Sequence, residues 1–139
     1  MSAARKRIVV ILVLISILLL YPFNTTLVPE QHVLVVTEDM HPISNILVRQ
    51  IWQDYSLEAR GHEEDLPTDV NGRVTFPART IRASLLMRIF GPLKSVLGQG
   101  VHASFGIHTD MFTLASTDAK ASTEVAQPQP GEIVYRLEL

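Results

Sequence analysis

Thirteen residues, Ile8 to Leu20, read IVVILVLISILLL, with Ser16 alone breaking the run of apolar side chains, and Arg5, Lys6 and Arg7 stand directly before them. No other stretch constrains the chain so strongly, because this one fixes an address. A basic cluster followed by a hydrophobic core is what the secretion machinery reads, and the positive-inside rule keeps Arg5 to Arg7 in the cytoplasm. A secretory signal ends in a small-x-small site, whereas this run leads into Tyr21-Pro22-Phe23-Asn24. An uncleaved signal anchor is therefore expected over residues 1–23, a single transmembrane helix with the remainder periplasmic or extracellular. Counting Tyr21, Pro22 and Phe23, the apolar stretch is about 24 Å long at about 1.5 Å per residue. Bilayer thinning and snorkelling of Arg7 would then close the gap to a hydrocarbon core of about 30 Å.

The remaining chain has room for one domain of ordinary size, with a spacer over 24–31 and the domain proper over 32–139. The chain has twelve basic and fourteen acidic residues, so setting aside Arg5, Lys6 and Arg7 leaves nine against fourteen, a net of −5. A nucleic-acid partner would want a basic stripe and is not expected. Cysteine is absent, which removes disulfides, thiolate metal sites and lipid-carrying cysteines. Asn24-Thr25-Thr26 fits the N-glycosylation pattern, a short match that arises often by chance.

Along that domain the patterning is mostly of period two. His32 to Glu38 (HVLVVTE) is rich in β-branched residues and reads as a buried strand. Asp39 to Pro42 has turn composition. Ile43 to Trp52 alternates, with Ile46, Val48, Gln50 and Trp52 on one side and Trp52 dominating that face. Ser56 to Pro67 is charged and irregular, an exposed loop with a ragged edge strand at most. Thr68-Asp69-Val70-Asn71-Gly72 is a strong turn signal, with Asn-Gly supplying the positive φ of a tight hairpin. Arg73 to Thr80 follows as a strand that Pro77 confines to an edge or bulge.

The period then changes. Ile81, Leu85, Ile89, Leu93 and Val96, flanked by Leu86, Phe90 and Leu97, recur at helical spacing, with Thr80 as start cap and Gly98 as stop. Gly91-Pro92 should kink this helix. Its apolar arc is expected to pack on the strands, and a membrane-surface role for Arg82, Arg88 and Lys94 is the weaker use of the same helix. Val101 to Leu114 reads as a strand bent at Gly106, Ser116 to Gly131 as a flexible loop, and Ile133 to Leu139 as a closing strand.

Val35-Val36-Thr37-Glu38-Asp39, His41 to Val48, and Thr68 to Pro77 together resemble the prealbumin-like β-sandwich of transthyretin-like proteins and carboxypeptidase regulatory domains. His41 stands where that family usually has glycine. The resemblance covers roughly Val33 to Pro77 and implies a mainly β sandwich with one helix between later strands. Such domains usually present loops and edges to a partner and carry out no reaction. A non-catalytic binding or accessory module follows, membrane-anchored, with a protein or a cell-envelope polymer as partner and no cofactor. The alternative is a hydroxyisourate hydrolase, a transthyretin-like enzyme. His32-Val33-Leu34, Gly72-Arg73 and Tyr135-Arg136 resemble its motifs, which would carry over His32, Arg73 and Arg136. Leu137-Glu138-Leu139 replaces the family's terminal Gly-Ser, and its second histidine motif has no counterpart, so no catalytic set is assigned. Metal ligation could draw on His102, His108 and Asp110, which share strand parity, or on His62, Glu63 and Glu64. Surface histidines and a solvated acidic loop account for both clusters, so no metal site is assigned.

Overall fold

A computed structural model describes residues 2–99, 104–114 and 117–138. Its elements are α1 (Ala3–Leu20), β1 (Pro22–Val28), β2 (Gln31–Thr37), β3 (Ile43–Ser44), β4 (Leu47–Asp54), β5 (His62–Pro67), β6 (Arg73–Phe76), β7 (Arg79–Ser84), α2 (Leu85–Gln99), β8 (Ile107–Leu114), β9 (Lys120–Ala121) and β10 (Ile133–Leu137). The protein is mainly β.

The expected transmembrane helix is not there. α1 is 18 residues long but includes Arg5, Lys6 and Arg7, which leaves Ile8 to Leu20 as its uninterrupted apolar length. That is about 20 Å of helix against a hydrocarbon core of about 30 Å. Tyr21 has already left helical geometry, at φ −63° and ψ 125°, and Pro22 and Phe23 belong to β1. The three residues that would have extended the span are instead paired across a β-ribbon. Among the described residues no helix is long and apolar enough to cross a membrane. The single-pass topology, the signal anchor and the location outside the cytoplasm all rested on that span and are withdrawn with it.

The two-layer prealbumin-like sandwich is likewise replaced by four small sheets: β1-β7, β10-β2-β6, β3-β9 and β5-β4-β8. One reason is local. The alternating run from Ile43 to Trp52 is broken at Asn45, which sits at φ 59°, so it yields a two-residue β3 and a separate β4. Thr68 staples this break from beneath. Its hydroxyl donates to Ile43 O (2.7 Å) and accepts from Ile46 N (3.1 Å), and its own N–H donates to Ile46 O. The β2-β10 pair is parallel and joins strands far apart in the chain.

β2 is the centre of the domain. Val33, Leu34, Val35 and Val36 are all fully buried, so both of its faces are covered. Val33 and Val35 enter a cluster with Ile43, Ile46, Val48, Val74 and Phe76, joined by Leu66, Met111, Ile133, Tyr135 and Leu137. That cluster draws on both three-stranded sheets. The segment 117–131, expected to be flexible, is tied down across the far side together with Glu132. Ser122 N donates to Pro42 O and Ala126 N to Met40 O, while Arg73 Nε donates to Glu132 Oε1 (2.8 Å). Its neighbour Ser116 lies outside the described residues.

The Asn71-Gly72 turn does not close a hairpin, since β5 pairs with β4 and β6 with β2. Gly72 alone takes positive φ (70°). Asp69 organises the turn: its Oδ1 accepts from the N–H groups of Asn71 and Arg73, both at 2.8 Å.

Ile81 to Ser84, expected to open the helix, belong instead to β7, Arg79 to Ser84. It pairs antiparallel with β1 from Pro22↔Ser84 to Val28↔Arg79. Ladder hydrogen bonds to a partner strand override the 3.6-residue pattern at Ile81, which is compatible with either period. The strand expected from Val101 begins, among the described residues, at Ile107.

Candidate functional site

The ribbon β1-β7 ends with Pro22 opposite Ser84, so α1 enters and α2 leaves at the same end. α2 meets the rest of the chain through its less apolar side. Arg88 donates from Nη2 to Thr25 Oγ1 (2.6 Å) and from Nε to Ala83 O (3.4 Å). One turn on, Gly91 lies so close to the 54–57 turn that a Cβ there would overlap Ser56 O. Among the described side chains of α2, Leu85, Arg88, Gly91 and Pro92 are half-buried, at the spacing of one helix face. The apolar arc was expected to cover the strands and instead faces outward. Ile89 is 59% exposed and Phe90 54%, with Leu86, Met87, Leu93, Val96 and Leu97 also exposed. Beside the same turn, Tyr55, Phe105 and Ile107 are exposed as well, and Tyr55 N donates to Gly106 O. A cleft of about 210 Å³ between Asp54, Ser56, Leu57, Arg88, Pro92 and Gly106 separates the helix from this group.

A polar joint lies where β7 meets the sheet. In β4 the residues Val48, Gln50, Trp52 and Asp54 share a face, and Gln50 is fully buried on it. A buried amide needs partners. Gln50 Nε2 donates to Gln31 Oε1 (2.7 Å), and its Oε1 accepts from Arg79 Nε (2.9 Å). Arg79 also pairs through Nη2 with Glu64, the residue across from Gln50 on β5. Its guanidinium carbon stands 4.1 Å from the Trp52 ring centroid, a cation–π contact. Trp52 is in turn stacked on the His62 ring at 5.4 Å and 15°. His62 Nε2 lies 2.9 Å from Glu58 Oε1, and Glu58 Oε2 accepts from Asp54 N. Trp52 is thus a half-buried rung between a cation and an imidazole, where the sequence pattern placed it at the centre of a buried face. Gln50 was the legible signal for this joint: a polar side chain on the inward face of an alternating strand has to be answered by something.

On the opposite face of the same sheet Arg49 grips Asp65 with two hydrogen bonds of 2.7 Å and reaches Glu63 at 3.3 Å. The Arg49 hydrogen bonds hold the Asp65 carboxyl below its ordinary range, outweighing partial desolvation. At β8, Met111 N donates to Asp110 Oδ1 (2.8 Å) and Met111 O accepts from the Tyr135 hydroxyl (2.6 Å). Burial, and then the nearby Asp110 charge, raise the Tyr135 phenol above its ordinary value.

The sequence candidates fall as follows. On β5, His62 and Glu64 share the inner face with Gln50 and Trp52, while Glu63 points to the other side, so alternation divides that cluster. His108 and Asp110 share the outer face of β8, where the His108 ring rests against Tyr55 at 5.8 Å. His102 lies outside the described residues. Among the described residues no group of three or more His, Cys, Asp or Glu side chains is arranged to hold a metal.

His32, Arg73 and Arg136 come to one face of the β10-β2-β6 sheet, because Arg73 is opposite Leu34 and Arg136 opposite Val36. The sheet positions between them are filled by the fully buried Leu34 and Val36. Each outer partner is engaged elsewhere. His32 Nδ1 lies 3.0 Å from Thr75 Oγ1 and its Nε2 3.2 Å from Glu30. Arg73 donates to Glu132 Oε1 and to Gln127 O. A second cleft, of about 330 Å³, is lined by Thr37, Glu38, Asp39, His41, Leu137 and Glu138; His41 Nδ1 is 2.9 Å from Glu124 O.

No protein-family model, no curated protein and no solved structure matches this chain.

Proposed function

We propose that this chain is a non-catalytic binding module that takes a protein partner on the outward apolar face of α2, with Tyr55, Phe105 and Ile107 beside it. One observation carries the proposal: α2 is docked through Arg88 and Gly91, and its large apolar side chains are left in solvent. Monomers seldom leave a contiguous apolar patch beyond ~300–600 Å² without a use for it. The net charge of the rest of the chain speaks for a protein over a nucleic acid. A transthyretin-like kinship of Val33 to Pro77 accords with a binding role. The engagement of Arg73 by Glu132 and Gln127 supports binding over hydrolysis.

Site-specific photo-crosslinking in cells tests this, with the crosslinker at Phe90 or Phe105 and a control at Val70, which is 80% exposed on the Asp69–Gly72 turn. A discrete protein adduct is expected from Phe90 and Phe105, absent from Val70, and lost on Ile89→Asp. Equal labelling from all three positions would sink the proposal.

A further inference from the structure

α1 presents a separate surface, and the ribbon carries it clear of the core. None of its residues is buried. Eleven large apolar side chains from Ile8 to Leu20 are 47–61% exposed, and Leu19 alone is half-buried, at the end nearest α2. With about half of each side chain in solvent, α1 exposes on the order of 1,000 Å², beyond the ~300–600 Å² of an ordinary largest patch. A facing helix covers about half of such a cylinder on each copy. The total is then on the order of 1,000 Å², the level a specific interface has to reach.

The charges of α1 say what that facing helix is. Its first turns hold Arg5, Lys6 and Arg7 with no acidic residue, and its last turn holds no basic one. This is the reverse of what the helix dipole favours. At the other end Ile17 O accepts from Tyr21 N, but Leu18 O has no such donor, because Pro22 lacks an N–H. A single helix therefore carries both a cluster of cationic donors and a negative end in want of them. The two are complementary only when the second helix runs the other way. Parallel pairing would crowd six cations within a Debye length of ~8 Å. Antiparallel pairing with Ser2 beside the partner's Tyr21 sets the two cluster centres about 16 Å apart along the axis at 1.5 Å per residue, about two Debye lengths, and brings each to the partner's open carbonyls. A self-complementary patch of this kind closes as a two-fold dimer.

We propose that α1 pairs antiparallel with α1 of a second copy of this chain. The pairing uses a surface other than the one assigned to the protein partner and does not rest on that assignment.

The chain has no cysteine, so single cysteines report on it cleanly. Full-length Ser2→Cys and Tyr21→Cys chains are mixed in equal amounts and mildly oxidised, and the native chain is sedimented over a micromolar range. The expected results are a two-chain mass and at least tenfold more disulfide adduct in the mixture than with either variant alone. Leu12 is 57% exposed, so Leu12→Glu should leave the Trp52 fluorescence of the folded domain unchanged and raise the dimer dissociation constant at least tenfold. The proposal is overturned by a one-chain mass, by a polydisperse series of larger species, or by adduct forming as fast between two Ser2→Cys chains. One chain bound alone to phosphatidylcholine vesicles, or Leu12→Glu with native mass, overturns it too.

Discussion

Gly72→Ala should be among the most harmful single-methyl additions the domain can receive, and its size can be worked from the structure. Gly72 sits at φ 70°, where an L side chain costs about 1–2 kcal/mol. The added methyl also lowers unfolded-state entropy, which offsets about 0.4–1 kcal/mol of that. The larger part is steric. A Cβ at Gly72 would stand 2.5 Å from Val35 O and 3.0 Å from both Ile43 N and Pro42 Cβ. Two of those are backbone atoms, one of them on the central strand, and relieving such overlap takes about 1–3 kcal/mol. Any shift also strains the 2.8 Å bond from Val35 N to Gly72 O, worth about 1 kcal/mol. The expected loss is about 2–5 kcal/mol, a large share of what a domain of this size possesses. Gly131→Ala is the control. Gly131 has φ 83° but nothing within 4 Å of a Cβ, so it should lose only about 1 kcal/mol. Urea unfolding followed by the fluorescence of Trp52, the chain's one tryptophan, measures both. If the two variants differ by less than about 1 kcal/mol, the close approach to Val35 is not what fixes glycine at position 72.

Tyr135→Phe deletes the hydroxyl bonded to Met111 O and should lower stability by about 0.5–1.5 kcal/mol in the same assay. In an alkaline absorbance titration Tyr135 should ionise above the ordinary tyrosine value. Its raised folded pKa gives stability that is present below the unfolded value near 10.0 and lost as pH rises through the folded one. For Asp65 the sign reverses. Its lowered folded pKa gives stability present above the ordinary 3.8 and lost as pH falls through the folded value beneath it. Asp65→Asn should therefore lose less stability than the native chain between pH 5 and pH 2, read from urea midpoints. Gly91→Ala should free α2 from the Ser56 turn while sparing the core, seen as faster amide exchange in α2 with an unchanged urea midpoint.

The strands that face the core were legible because their periodicity is enforced by burial. Gln31–Thr37 and Ile133–Leu137 lie where β-branched and alternating residues placed them, and the face shared by Val48, Gln50 and Trp52 is the one the alternation assigned. What could not be read was set by partners distant in sequence. Asn24 to Val28 look like a spacer until Arg79 to Ser84 pair with β1, and Ile81 to Ser84 look helical until β1 is beside them. The charged stretch at His62 forms a strand because Arg49 and Arg79 answer its carboxylates from either face of the sheet. The orientation of α2 was misread for a related reason. An amphipathic arc names a face that prefers burial, but Gly91 against Ser56 and Arg88 against Thr25 decide which side docks. Of the polar joint, only Gln50 and Trp52 stood out in the pattern; Gln31 and Arg79 gave no periodic signal.

The parallel pairing of β2 with β10 bears on how the chain is made. Ile133 lies beside Val33 and Leu137 beside Thr37, each pair a hundred residues apart. At a synthesis rate of about 5–20 residues per second, β2 waits roughly 5–20 seconds for its second neighbour. Until then one flank of Val33-Leu34-Val35-Val36 is an open strand edge of the most apolar composition in the β domain, and Ile133, Tyr135 and Leu137 are missing from the central cluster. Completion of this core therefore waits on the synthesis of β10, and until then β2 offers a bare apolar edge to any other strand.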